Sequence, residues 1–235
     1  MGCAILKGVQ MNEDNNTSIE EALAALLRLE EHQLELWQRM LRAYGSALYP
    51  LDLLATGALN RSAALCSGFR SLIKGRNIIC AAPLLRLQID TALRFYAAFL
   101  VDEPHGFASA VLKGIPVRKL KDKTGKLMHD SYLISCLSKQ YPWVAKVYET
   151  TSGYIHLSAT HISLAIESTD EQTEDFEMQV GAGDKELPER TYVEAIEAFC
   201  AVTRVLHYYV EGWTVTKNNP EMAARFRKNM VNTRD

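Results

Sequence analysis

Between Leu84 and Leu100 the chain is apolar around most of a helix's circumference, yet Arg86, Asp90 and Arg94 recur at i, i+4 and i+8 and so project toward one sector. Three charges are costly in lipid, and the apolar remainder does not suit a surface helix. The arrangement that satisfies both is a helix enclosed by a bundle, in which each charge has a polar partner. A second polar series, Tyr154, Ser158 and His161, reads as one face of a later helix beside Leu157 and Leu164.

The remaining sequence agrees with an all-α helical bundle. Thr17 or Ser18 caps a first helix with Glu20 and Glu21 in its first turn. Leu23, Leu26, Leu27, Leu34, Trp37, Leu41 and Leu48 continue its apolar stripe toward Pro50. A second helix spans about 52–74, closed by Gly75-Arg76-Asn77. The third runs to about Leu100, with Pro83 near its start or at a kink. One or two short helices follow: one opens at Asp102-Glu103-Pro104 and closes at Gly114 and Pro116, another runs from Asp130 or Ser131 to about Lys139. From Tyr141-Pro142-Trp143 a helix is expected to reach Leu164 with Gly153 in its middle. Alternation near 162–181, around an acidic 167–177 stretch, suggests a small hairpin or an acidic loop. Pro188 and Glu189 introduce the last long helix. The expected organisation is a flexible extension over 1–16, a bundle domain over 17–217 and a basic tail over 218–235.

Composition narrows the function. A formal charge of -2, with bases scattered among acids, argues against nonspecific coating of a polyanion but leaves room for a local positive groove. Cys3, Cys66, Cys80, Cys136 and Cys200 show no zinc spacing, and four lie in apolar helical runs as buried thiols would. The odd count and the lack of a secretory leader point to the reducing cytoplasm. Gly2 beside Cys3 has Leu6 where an acylation signal wants Ser or Thr, and Met11 offers an alternative start. No metal, cofactor or membrane span is expected, since Walker, dinucleotide and His-Glu-x-x-His motifs are absent.

Two local features need weighing. Arg118, Lys119, Lys121, Lys123 and Lys126 form a basic loop opposed only by Asp122; it reads as a solvated loop or as a phosphate-facing one without an aromatic stacking platform. His207, between Leu206 and Tyr208, reads as a core histidine with one satisfied polar edge.

The two polar series admit two mechanisms. In one they meet as a core network with Asp90 as its hub, fixing helix register. In the other, Arg86, Asp90 and His161 are catalytic: Arg86 or Arg94 holds a phosphate, His161 moves a proton, and Tyr154 or Ser158 positions a ribose hydroxyl. Such a site cleaves RNA without metal, because the 2′-hydroxyl is the nucleophile. Ser158 lacks a Gly-x-Ser-x-Gly elbow, which disfavours a serine hydrolase.

At Leu85-Arg86-Leu87-Gln88-Ile89-Asp90 and Tyr154-Ile155-His156-Leu157-Ser158-Ala159-Thr160-His161 the chain resembles bacterial helical proteins related in outline to the abortive-infection and HEPN-like families, over roughly 60–165. Asp90 would stand for a commoner glutamate. The resemblance implies a helical bundle, frequently homodimeric, in a group that includes toxin and defence ribonucleases. Their active motif separates Arg and His of one helix by four to six residues, whereas only two separate Arg204 from His207 here. The leading expectation is therefore an interaction or structural protein acting through self-association or a protein partner. The alternative is a metal-independent endoribonuclease with RNA as its partner.

Overall fold

Helix α3 (Ile78–Tyr96) is enclosed by other helices, as its composition requires. Helices α2 (Pro50–Lys74), α5 (Asp130–Leu137), α6 (Trp143–Ser152) and α8 (Glu189–Asn218) all pack against it. Ala81, Leu85, Ile89, Leu93 and Phe95 are thereby buried. Helix α1 (Ile19–Ser46) lies along α8 and α2, and α4 (Pro104–Leu112) along α2. Phe69 of α2 meets Phe199 of α8 with ring centroids 4.4 Å apart. Each such large apolar side chain contributes roughly 1.5–3 kcal/mol by leaving water. The computed structural model describes residues 17–170, 175–178, 180–181, 183–184, 187–219 and 221, with the backbone alone at 167–170 and 175–177. The expected 1–16 extension, and all of the basic tail past Asn219 except Glu221, lie outside those residues.

Local chemistry sets the helix ends. Ser18 and Glu21 form a reciprocal cap on α1, with the Glu21 N–H donating to Ser18 Oγ (3.2 Å) and the Ser18 N–H to Glu21 Oε2 (2.9 Å). Helix α2 begins two residues earlier than expected: Pro50 needs no N–H partner in the first turn, and the Tyr49 N–H donates to Asp52 Oδ2 (2.7 Å). Asn77 caps α3, so Pro83 falls inside that helix. A short 3-10 turn at Ala97–Phe99 then ends it. After Arg42 the α1 backbone turns through Tyr44 and Gly45 at positive φ, and the Tyr44 N–H donates to Asn218 Oδ1 (2.8 Å).

The expected single helix from Trp143 to Leu164 is two helices. The hydroxyls of Thr151 and Ser152 donate back to the carbonyls of Val147 and Tyr148 (each 2.7 Å), and the Gly153 N–H tightens onto the Thr150 carbonyl (3.2 Å). A new helix, α7 (Ala159–Ala165), starts at Ser158, whose Oγ accepts from the Thr160 N–H (3.3 Å). A two-stranded antiparallel hairpin follows, β1 (Ile166–Asp170) with β2 (Asp175–Met178), so of the two alternatives for 162–181, hairpin or acidic loop, the hairpin is the one formed. The protein is thus an all-α bundle with short extra helices and one minor hairpin. Among the described residues no helix is long and apolar enough to cross a membrane.

Candidate functional site

The helical spacing of Arg86, Asp90 and Arg94 produces the shared face it implies, and three residues from other helices complete it. Arg94 Nη2 lies 2.7 Å from Asp90 Oδ1 and 2.6 Å from Asp130 Oδ1, so one guanidinium bridges two carboxylates. Arg61 of α2 reaches Asp90 Oδ2 at 3.0 Å. Arg86 approaches Asp130 Oδ2 at 3.6 Å and lays its guanidinium over the Tyr148 ring, 3.7 Å from the centroid. Asp130 is the first residue of α5, where the helix dipole also favours an anion. Burial works against its charge, but the hydrogen bond and charge of Arg94, with Arg86, hold the carboxyl below its ordinary range. The cluster clasps α2, α3, α5 and α6 together.

Asp90 is a hub, as one of the two expected mechanisms required, but its partners are arginines alone. His161 is engaged elsewhere. Its Nδ1 lies 3.3 Å from the Ser158 N–H, completing the cap on α7, and its ring stands 6.1 Å from that of Tyr154. Ser158 Oγ donates to the Gly153 carbonyl (2.6 Å). No hydrogen bond or ion pair among the described residues joins His161 to Arg86, Asp90 or Arg94. Tyr154, Ser158 and His161 belong to a turn and a cap, not to one helical face, because the helix breaks at Gly153. The arginine cluster therefore has charge for an anion but no bonded group suited to proton transfer near neutral pH.

The basic loop is tightly knotted. Asp122 Oδ1 accepts from the Thr124 N–H and Oγ1 (both 2.8 Å) and from the Lys126 N–H (2.9 Å), while Asp122 Oδ2 accepts from the Tyr132 hydroxyl. The Tyr132 bond, more than the backbone donors, holds the Asp122 carboxyl far below its ordinary range. Arg118, Lys119, Lys121, Lys123 and Lys126 all face solvent around this knot.

The deepest polar group had no place in the sequence expectations. Asp52 Oδ2 receives Lys217 Nζ at 3.0 Å, Asp52 Oδ1 receives Trp213 Nε1 at 2.8 Å, and Lys217 Nζ also donates to the Met40 carbonyl at 3.0 Å. Asp52 could have been suspected from its place just after Pro50; nothing in the periodicity of α8 marks Lys217 as buried. At the centre of the bundle, Gln88 Nε2 donates to Ser62 Oγ (2.7 Å) and Thr203 Oγ1 (3.1 Å), joining α2, α3 and α8.

His207 is buried as expected, and among the described residues its Nε2 has no hydrogen-bond partner. Burial, with His32 and Arg204 nearby, lowers its pKa to about 4. Of the four thiols expected to be buried, Cys66 and Cys200 are, Cys136 is half-buried, and Cys80, on the solvent side of the first turn of α3, is exposed. No family model, curated protein or solved structure matches the chain.

Proposed function

We propose that this chain is a non-catalytic helical interaction protein that self-associates through α7 and the hairpin. The observation that supports this reading is an apolar surface that no described residue covers. Helix α7 has no buried residue. Around it Ile162 and Met178 face solvent, Leu157 is 88% exposed and Val180 fully exposed. Clustered exposure of this kind marks interaction surfaces. The hairpin points to a second copy as the occupant. A two-stranded sheet is marginal in water, and each strand keeps one unpaired edge among the described residues. An edge strand meeting its own copy across a two-fold axis is self-complementary. The bulge between Ile166 and Ser168 disrupts β1, which leaves β2 as the more regular edge. The likeness to HEPN-like families, frequently homodimeric, favours the same reading and a role in bacterial defence or stress.

Light scattering of the parent beside Leu157→Asp and Val180→Asp tests this. Both positions are exposed, so the variants should unfold at the parent's midpoint and yet remain monomeric where the parent dimerises. A monomeric parent, or variants that dimerise equally, would contradict the proposal.

Metal-independent RNA cleavage is the second reading, favoured by one observation: three guanidinium groups face two carboxylates in the Asp90 cluster. Incubating RNAs with the parent, Arg86→Ala and His161→Ala in chelator tests it. The interaction reading expects no cleavage by any of the three.

A further inference from the structure

The segment from Leu112 to Leu127 concentrates charge that the chain as a whole lacks. Lys113, Arg118, Lys119, Lys121, Lys123 and Lys126 oppose a single acid, Asp122, in a protein of net charge -2. That acid is turned inward: its oxygens take up the N–H groups of Thr124 and Lys126 and the hydroxyls of Thr124 and Tyr132. All six bases are exposed, and none forms an ion pair among the described residues. The nearest acid along the chain beyond the segment, Asp130, is engaged by Arg94 and Arg86. Asp102 and Glu103 follow Leu100, whose carbonyl accepts from the Lys123 N–H (3.0 Å). Six bases still outnumber these acids and Asp122, four in all.

The loop is built to hold these bases outward. The Asp122 N–H donates to the Lys126 carbonyl (2.9 Å), the Met128 N–H to the Leu120 carbonyl (3.0 Å), and Lys121 bridges Leu127 across the turn. Gly125, at φ +85, supplies the left-handed residue that closes it. Three exposed aliphatic side chains lie in the same segment: Leu112, Ile115 and Leu127. Lysines beside solvated aliphatics match the interface of an anionic bilayer, where ammonium groups meet headgroup phosphates and apolar side chains enter the acyl boundary. An RNA strand would use the lysines but would want open aromatic platforms; the loop from Arg118 to Lys126 has no aromatic residue, and the ring against it, Tyr132, is half-buried with Lys126 Nζ 5.7 Å from its centroid.

We propose that the 112–127 segment docks the protein peripherally on anionic phospholipid surfaces. The attraction of each lysine at such a surface corresponds to about fivefold in partitioning, and it is screened by salt.

Co-sedimentation of the full chain with vesicles of phosphatidylcholine alone, or with 30% phosphatidylserine, tests this at about 0.1 and 0.5 M salt. The expected result is binding to the serine-containing vesicles alone, lost at the higher salt. Lys121→Glu with Lys123→Glu should weaken it more than about tenfold. Ile115→Asn with Leu127→Asn should weaken it as well. All four side chains are exposed, so unchanged thermal midpoints certify the folding of both variants. No binding, equal partitioning onto both vesicle types, or undiminished binding by the lysine variant would overturn the proposal. So would retention by the same lysines of single-stranded RNA in place of vesicles, which would assign the loop to nucleic acid.

Discussion

Lys217 Nζ lies 3.0 Å from Oδ2 of Asp52, and neither side chain has any exposure to solvent. The pair joins the last turn of α8 to the first turn of α2, residues far apart in the chain, and the Met40 carbonyl and Trp213 indole complete its hydrogen bonds. Tyr49 lies against it, its ring 5.8 Å from the ammonium and stacked 5.2 Å from His105. Both ends of the bundle's polar framework are thus arginine or lysine clasps on aspartate: one dry, the other half-buried around Asp90 and Asp130.

Removing one member of the dry pair strands the other. Lys217→Met should cost about 3–5 kcal/mol in denaturant unfolding, because the buried Asp52 carboxyl loses its cation. Lys217→Met combined with Asp52→Asn should recover part of that loss, since no unpaired charge remains and the amide oxygen keeps one of the two acceptor places, toward Trp213 Nε1 or toward the Tyr49 N–H. Equal destabilisation by the single and double variants would show that packing of the lysine stem, not the charge, matters.

The half-buried clasp should be structural and depend on the reach of Arg94, whose Nη2 meets both carboxylates. Arg94→Leu leaves two carboxylates short of a donor, for an expected loss of about 1–3 kcal/mol. Arg94→Lys should restore little, because the shorter lysine stem does not carry its ammonium to the place where Arg94 Nη2 meets both carboxylates. His161→Ala removes only part of the α7 cap and should cost about 1 kcal/mol or less. A larger effect at His161 than at Arg94 would mean that the histidine carries a load absent from this account.

Acid should weaken the fold in a definite window. Burial lowers the pKa of His105 and of His207 from 6.5 to about 4. Both rings are therefore neutral in the folded chain while the unfolded chain takes up protons. Stability is full above about pH 6.5, falls as pH drops, and levels near pH 4, by about 3 kcal/mol per histidine. Asp130, held below its ordinary 3.8, adds its own loss only at lower pH. Unfolding free energies at pH 7 and 4.5 check this: His207→Phe should flatten the slope, and an unchanged slope would refute the assignment.

Thiol reactivity should follow burial. Burial pushes Cys66 up to about 11 and Cys200 up to about 12, whereas Cys80 faces solvent. Alkylation of the native chain followed by peptide mapping should label Cys80 and spare Cys66 and Cys200 until the chain unfolds.

What was legible in the sequence was periodic or local. The long helices, the Ser18 cap, the hairpin and the common face of Arg86, Asp90 and Arg94 depend on spacing within one segment. Arg61 and Asp130 escaped notice because they meet Asp90 and Arg94 only after α2 and α5 pack on α3. Lys217 escaped for a similar reason, since a lysine near a helix end ordinarily faces water. The Gly153 break was misread because a lone glycine is tolerated within helices. The deciding signal was the Thr150-Thr151-Ser152 run before it, whose hydroxyls compete for backbone partners.

Amide hydrogen exchange at low and high protein concentration separates the proposed self-association through the edge beside α7 from chemistry at the arginines. With self-association, exchange slows with concentration in β2 and α7 and stays unchanged around Asp90 and Asp130. Exchange independent of concentration in β2 and α7 would contradict it.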